Sequence, residues 1–178
     1  MKPRTISIIL LILFTILSRF IPHPPNFTPV IGVGLFAGAT INRRILAFLI
    51  PVSIMFISDI FLGLHTTMVW VYGSLIFVVL VGILISGKVK ISTVLGGSVI
   101  GSILFFLATN FGVWITGGGY GHPLTMNGLV LCYIDGIPFF MNTLGGTILY
   151  SGLLFGGYEV MRRKIPSIRF TPHTHEQN

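Results

Sequence analysis

The sequence predicts an all-α, polytopic membrane protein: six transmembrane helices with both chain ends in the cytoplasm. Three observations predict it. The 178 residues are 53% hydrophobic and only 8% charged, too little charge for a soluble domain of this length. The apolar residues fall into long runs without strand alternation. All Lys and Arg except Arg19 lie at every second break between those runs: Lys2 and Arg4, Arg43 and Arg44, Lys88 and Lys90, then Arg162, Arg163, Lys164 and Arg169. The breaks near Pro22–Thr28, His65–Thr67 and Thr116–Gly128 carry neither. Cationic loops on one side and none on the other are the positive-inside pattern.

The first run, about Thr5 to Ile21, stops at Pro22. A charged start followed by an apolar stretch also suits a signal peptide, but Arg19, Phe20 and Pro22 stand where a small-x-small cleavage site belongs. The expectation is a retained helix. Thr28 reads as an N-cap, with Pro29 opening a short second helix to about Ile41. Gly32, Gly34 and Gly38 within it invite close backbone approach, so this helix is expected inside the bundle. The third run is Ile45–Leu64, with Pro51 inside it. The fourth is about Thr67–Ser86, where Trp70 and Tyr72 read as interface anchors. The fifth is about Ser92–Ile115. The stretch after Gly128 is too long for one straight span. Asp135, Gly136 and Pro138 are therefore read as a break, with a short external or re-entrant helix over Leu124–Ile134 and the sixth span from Pro138 to about Glu159. The chain divides into one transmembrane domain, residues 1–164, and a mobile cytoplasmic tail, 165–178.

Three pairs, Gly34/Gly38, Gly97/Gly101 and Gly152/Gly156, have small-x-x-x-small spacing and read as packing grooves within the chain. The net charge of +7 comes from short loop clusters. It points to anionic membrane lipid as partner, not to nucleic acid. Cys132 is the one cysteine, so no internal disulfide forms.

An ionisable group within the hydrocarbon costs about 3 kcal/mol and marks a functional candidate. The topology puts Arg19, Asp59, Asn110 and Asn142 at one depth near the outer face, on four different spans. The inner halves hold nothing more polar than Ser and Thr. Such a layer lines an outward-opening cavity, or else Arg19 and Asp59 pair and the asparagines satisfy broken helix ends. Trp114 shares a helix face with Asn110, and an amide beside an indole suits a ring with polar edges or an interface belt. Gly117, Gly118, Gly119 and Gly121 around Tyr120, followed by His122, suit a mobile lid or a plain turn. His23, His65 and His122 with Asp59 and Asp135 lack metal-ligand spacing, so no metal and no cofactor is expected. Nucleophile, HExxH and phosphate-loop motifs are absent, so no enzyme activity is expected and any ATPase would be a separate subunit.

Several stretches resemble a family of small, uncharacterised bacterial six-helix integral membrane proteins. They are Arg19-Phe-Ile-Pro-His-Pro-Pro-Asn-Phe-Thr-Pro29, Leu35-Phe-Ala-Gly-Ala39, Ser58-Asp-Ile-Phe-Leu-Gly63, Thr109-Asn-Phe-Gly-Val-Trp114, and Gly128-Leu-Val-Leu-Cys-Tyr133 running into Ile137-Pro-Phe-Phe-Met-Asn142. The layout is also similar to the substrate-binding S components of energy-coupling-factor (ECF) transporters. That likeness implies a bacterial inner-membrane protein that binds a small polar or aromatic nutrient at its outer face. It further implies a coupling protein and ATPases as partners. Arg19, Asp59, Asn110, Trp114 and Asn142 would line the site, under a lid of Gly118, Tyr120 and His122. Two departures are visible. The first helix is bulky where those subunits present an Ala-x-x-x-Ala-like groove, and Met1-Lys2-Pro3-Arg4 lacks the Met-His-x-His start of the nickel and cobalt members. A non-transporting structural or assembly role in the cell envelope is the alternative.

Overall fold

The computed structural model describes residues 3–64, 66–117 and 121–165. The described residues form six α-helices and one 3-10 turn. They are α1 (Pro3–Leu17), extended by the turn Ser18–Phe20, then α2 (Val30–Thr40), α3 (Arg44–Leu62), α4 (Met68–Ile85), α5 (Ile91–Thr116) and α6 (Met126–Lys164). The last four are long and apolar enough to cross a membrane. The expected starts and ends of the first five agree to within a few residues. One cap moves: Pro29, not Thr28, is the N-cap of α2, and its carbonyl accepts from the Val33 N–H at 2.8 Å.

The architecture is a sheath around a hub. Every residue of α2 is buried. The other five helices close a ring around it in the order α1, α6, α5, α4, α3 and back to α1, and each touches α2. Eleven residues make a helix of only about 16 Å, roughly half a bilayer core, so α2 gains its stability from neighbours. Glycine sets the closest contact. A Cβ on Gly38 would strike the Val79 carbonyl and the Ile83 N–H, and one on Gly82 would strike the Leu35 carbonyl. α2 and α4 therefore meet backbone to backbone, as small residues permit. Gly101 faces Ile31 and Gly97 faces Leu35 and Ile85 across the α5 contact. Gly152 and Gly156 differ: among the described residues nothing lies within 4 Å of a Cβ at either. Phe36 anchors the other side of the hub, edge-on to Phe155 at 5.2 Å and Tyr158 at 5.7 Å.

The outside of the ring is apolar and the inside partly polar. Phe14, Phe61, Val69, Leu84 and Ile91 are all exposed, whereas Ser58, Asp59, Ser98, Thr147 and Ser151 are buried. Outward apolar faces this extensive are a lipid-facing surface, not that of a soluble monomer.

α6 corrects one expectation. It is a single unbroken helix of 39 residues with Pro138 inside it, about 58 Å long at the helical rise. Proline removes one N–H, so the Ile134 carbonyl loses its helical donor, but α5 packs alongside and holds the line. Tyr133 donates to the Leu107 carbonyl at 2.8 Å, and Phe106 packs against both Tyr133 and Phe140. Gly136 admits the Asn110 side chain where a Cβ would collide with it. Leu124–Ile134 thus contains the loop end and first turns of α6 and is not a separate helix. Residues 166–178 of the expected tail lie outside the described residues.

Candidate functional site

The loops carrying Arg43, Arg44, Lys88 and Lys90 and the end of α6 with Arg162, Arg163 and Lys164 share one end of the bundle, as the joint lining of a cavity there requires. The candidate site sits at the other end. α1 tightens into the 3-10 turn before Pro22, and this turn carries Arg19 toward α3. Arg19 Nη2 lies 2.6 Å from Asp59 Oδ1. Its Nη1 donates to Ser58 Oγ and sits 3.5 Å from Met55 Sδ. Ser58 Oγ in turn donates to the Met55 carbonyl at 2.7 Å. The second oxygen of Asp59 accepts from Tyr72 Oη, on α4, at 2.5 Å. Asp59 is 2% exposed and Arg19 13%.

Three elements thus converge on one carboxylate, and both of its oxygens are engaged. A buried carboxylate is tolerated when it is paired and hydrogen-bonded, and this one is. The guanidinium is a planar fork of five N–H donors. It is partly exposed, unlike Asp59. Ser58 and Tyr72 are not among the site residues expected from the sequence. Ser58 is adjacent to Asp59 and could have been suspected. Tyr72, expected in the interface belt, turns its hydroxyl inward instead.

The other candidates have different partners. Asn110 donates through Nδ2 to the Phe106 carbonyl at 2.9 Å and sits at the α5–α6 crossing over Gly136. Its own carbonyl receives the Cys132 thiol at 3.5 Å. Trp114 donates through Nε1 to the Pro123 carbonyl at 3.0 Å, tying the loop after α5 to the end of that helix. Asn142 donates to the Pro25 carbonyl at 3.0 Å, and Phe27 from the same loop packs over Gly145 and Gly146 and beside Tyr150. The loop between α1 and α2 is therefore strapped across α6. His122 Nε2 is 2.8 Å from Asp135 Oδ2. Of the residues expected to share a site, the structure joins Arg19 to Asp59 directly, while Asn110, Trp114 and Asn142 hold backbone carbonyls elsewhere. Gly118 and Tyr120 lie outside the described residues. Among the described residues no three of His, Cys, Asp or Glu cluster as metal ligands do.

A second polar feature escaped the sequence reading. Ser98 and Ser102 on α5 and Thr143, Thr147 and Ser151 on α6 are all buried. Ser98 Oγ donates to Ser151 Oγ at 3.2 Å, and Thr147 donates to the Thr143 carbonyl at 2.7 Å. Spacings of four on two neighbouring helices were the available signal.

Apolar outer faces, helices long enough to span a bilayer and a buried ion pair inside the bundle define the class: a small all-helical membrane protein. No curated protein and no solved structure matches the chain. Residues 1–168 match the profile of the Family of unknown function (DUF6580), and the chain belongs to that family.

Proposed function

We propose that this is a six-pass protein of the bacterial inner membrane, with its basic end in the cytoplasm, that captures a small polar or aromatic nutrient at the opposite end for uptake. It would act as an S-component-like subunit and rely on a separate ECF-type coupling protein and ATPases for energy. The observation that carries the reading is the Arg19–Asp59–Tyr72 cluster, a charged group assembled from three elements within an apolar bundle, at the end away from the cationic loops. Charge in such a setting is expensive and marks function by default. The strap held by Asn142–Pro25 and the loop held by Trp114–Pro123 are single hydrogen bonds at the same end. Their release would open that end to a ligand, with Arg19 as its first polar contact and Trp114 and Asn142 freed to line the opening.

The test is ligand-dependent stabilisation. A panel of vitamins, nucleobases and amino acids is added to purified protein and its melting temperature followed. A true ligand raises it by mass action, and the double variant Arg19→Met/Asp59→Leu, which leaves no unpaired charge, should abolish the rise while leaving a folded protein. A panel without effect, together with purified protein that carries no small molecule, overturns the reading. The second reading, a structural or assembly protein of the envelope, is favoured by the satisfaction of Asp59, Asn110, Trp114 and Asn142 within the chain itself. Under it the polar groups serve packing alone. Cell-envelope machinery, and not ATPase subunits, would then co-purify in mild detergent.

A further inference from the structure

A cavity of about 840 Å³ opens at the basic end of the bundle, between the end of α2, the α4–α5 loop, the start of α5 and the last turns of α6. Drug-sized ligands occupy pockets of about 300–1,000 Å³. Its lining is divided. Toward the helix ends stand Lys90, Arg162 and Arg163, with Glu159 bridging the two arginines at 2.8 Å each. Three cations against one carboxylate leave a net positive mouth. Deeper in, the walls are Val94, Leu95, Ile148 and Phe155. The floor is the Gly152/Gly156 pair, where an added Cβ meets nothing within 4 Å among the described residues, so none of their side chains fills the trough. Leu95 and Ile148 line the trough and are both exposed, so its apolar walls are not sealed by neighbouring helices.

An apolar trough open toward lipid with a cationic mouth at its end is complementary to an amphiphile with an anionic head. Arginine forks suit phosphate oxygens, and basic pockets between helices beside the membrane surface suit acidic headgroups. We propose that this cavity is a specific site for an anionic phospholipid taken from the bilayer, its phosphate held by Lys90, Arg162 and Arg163 and one acyl chain lying over Gly152 and Gly156. The site is independent of whatever the Arg19–Asp59 end binds.

The experiment uses full-length protein, delipidated in non-ionic detergent. Its melting temperature is followed with dioleoyl phosphatidylglycerol, with dioleoyl phosphatidylcholine and with glycerol phosphate. Phosphatidylglycerol should raise it by about 4 °C or more, on the scale of a ligand present well above its Kd. The other two should leave it within about 1 °C, below any resolvable binding on that same scale. Two variants separate head from tail. Arg162→Gln/Arg163→Gln keeps the trough and loses the charge, while Gly156→Leu fills the trough and keeps the charge; each should remove most of the rise. Equal stabilisation by phosphatidylcholine overturns the proposal, since it reports only a generic lipid effect. A full rise with glycerol phosphate also overturns it, since that marks a site for free phosphate compounds. So does a wild-type response in both variants. Should Gly156→Leu fail to fold, native mass spectrometry of the wild type decides: one phosphatidylglycerol retained in preference to phosphatidylcholine supports the site, and equal retention sinks it.

Discussion

Asp59 is the residue whose removal should be felt most. Asp59→Ala leaves Arg19, mostly covered by the bundle, without its carboxylate, and breaking a buried pair by removing one partner costs about 3–5 kcal/mol. The melting temperature in detergent should fall sharply, and the double variant Arg19→Met/Asp59→Leu should recover most of the loss, because no unpaired charge remains. A double variant as unstable as Asp59→Ala would show that the pair is not the source of the penalty. Ser102 should behave in the opposite way. Its hydroxyl is buried without a hydrogen-bond partner among the described residues, and an orphaned buried polar atom costs about 1–3 kcal/mol. Ser102→Ala should therefore match or exceed the wild type in thermal melts, whereas Ser98→Ala, which breaks the bond to Ser151, should lower stability. At this scale the sequence is readable where chemistry is rare. One Arg and one Asp inside apolar runs stand out whatever the fold. Tyr72 does not, because a tyrosine near a helix end is ordinary at an interface. Its inward direction depends on the rotation of α4, which the Gly38–Gly82 contact helps to set three turns away.

Among the elements, α2 was legible and α6 was not. Shortness and three glycines in eleven residues are incompatible with a helix standing alone in lipid, so the buried hub could be foreseen. The length of α6 exceeds the bilayer, and Pro138 offered an obvious place to divide it. What the linear pattern cannot display is the row of α5 contacts, from Cys132 through Tyr133 to Gly136, that carries the helix past its proline. The three glycine pairs likewise look alike in sequence and differ in the fold, two of them closing against neighbours and one left open. This yields a contrast. Gly38→Ala forces a methyl into the α4 backbone and should cost about 1–3 kcal/mol, the range for overpacking. Gly152→Ala meets open space and should stabilise α6 by up to about 1 kcal/mol through helix propensity. Paired thermal melts check both, and equal effects would contradict the packing described for α2 and α4.

For the whole molecule, the proposal of six crossings makes a direct prediction. In a Cys132→Ala background, single cysteines are placed at His23, in the loop after α1, and at Lys88, in the loop before α5. A membrane-impermeant maleimide added to intact cells should label the first. It should label the second only after the inner membrane is opened. Labelling of both from one side would rule out the serpentine course, and reversed labelling would put the basic end outside. The charge alternation along the chain is the ground for this proposed layout, and it depends on loop composition and not on packing. The closed order of the ring was not legible, because it follows from which faces of five similar apolar helices fit the hub.

The position of that hub has a bearing on how the protein is made. Translation delivers α2 to the membrane before α3 to α6 have left the ribosome, yet those four complete its enclosure. An eleven-residue segment cannot anchor itself across the bilayer while it waits. The nascent chain must therefore be sheltered by the insertion machinery until its last helix arrives, and truncations before α6 should become substrates for membrane proteases.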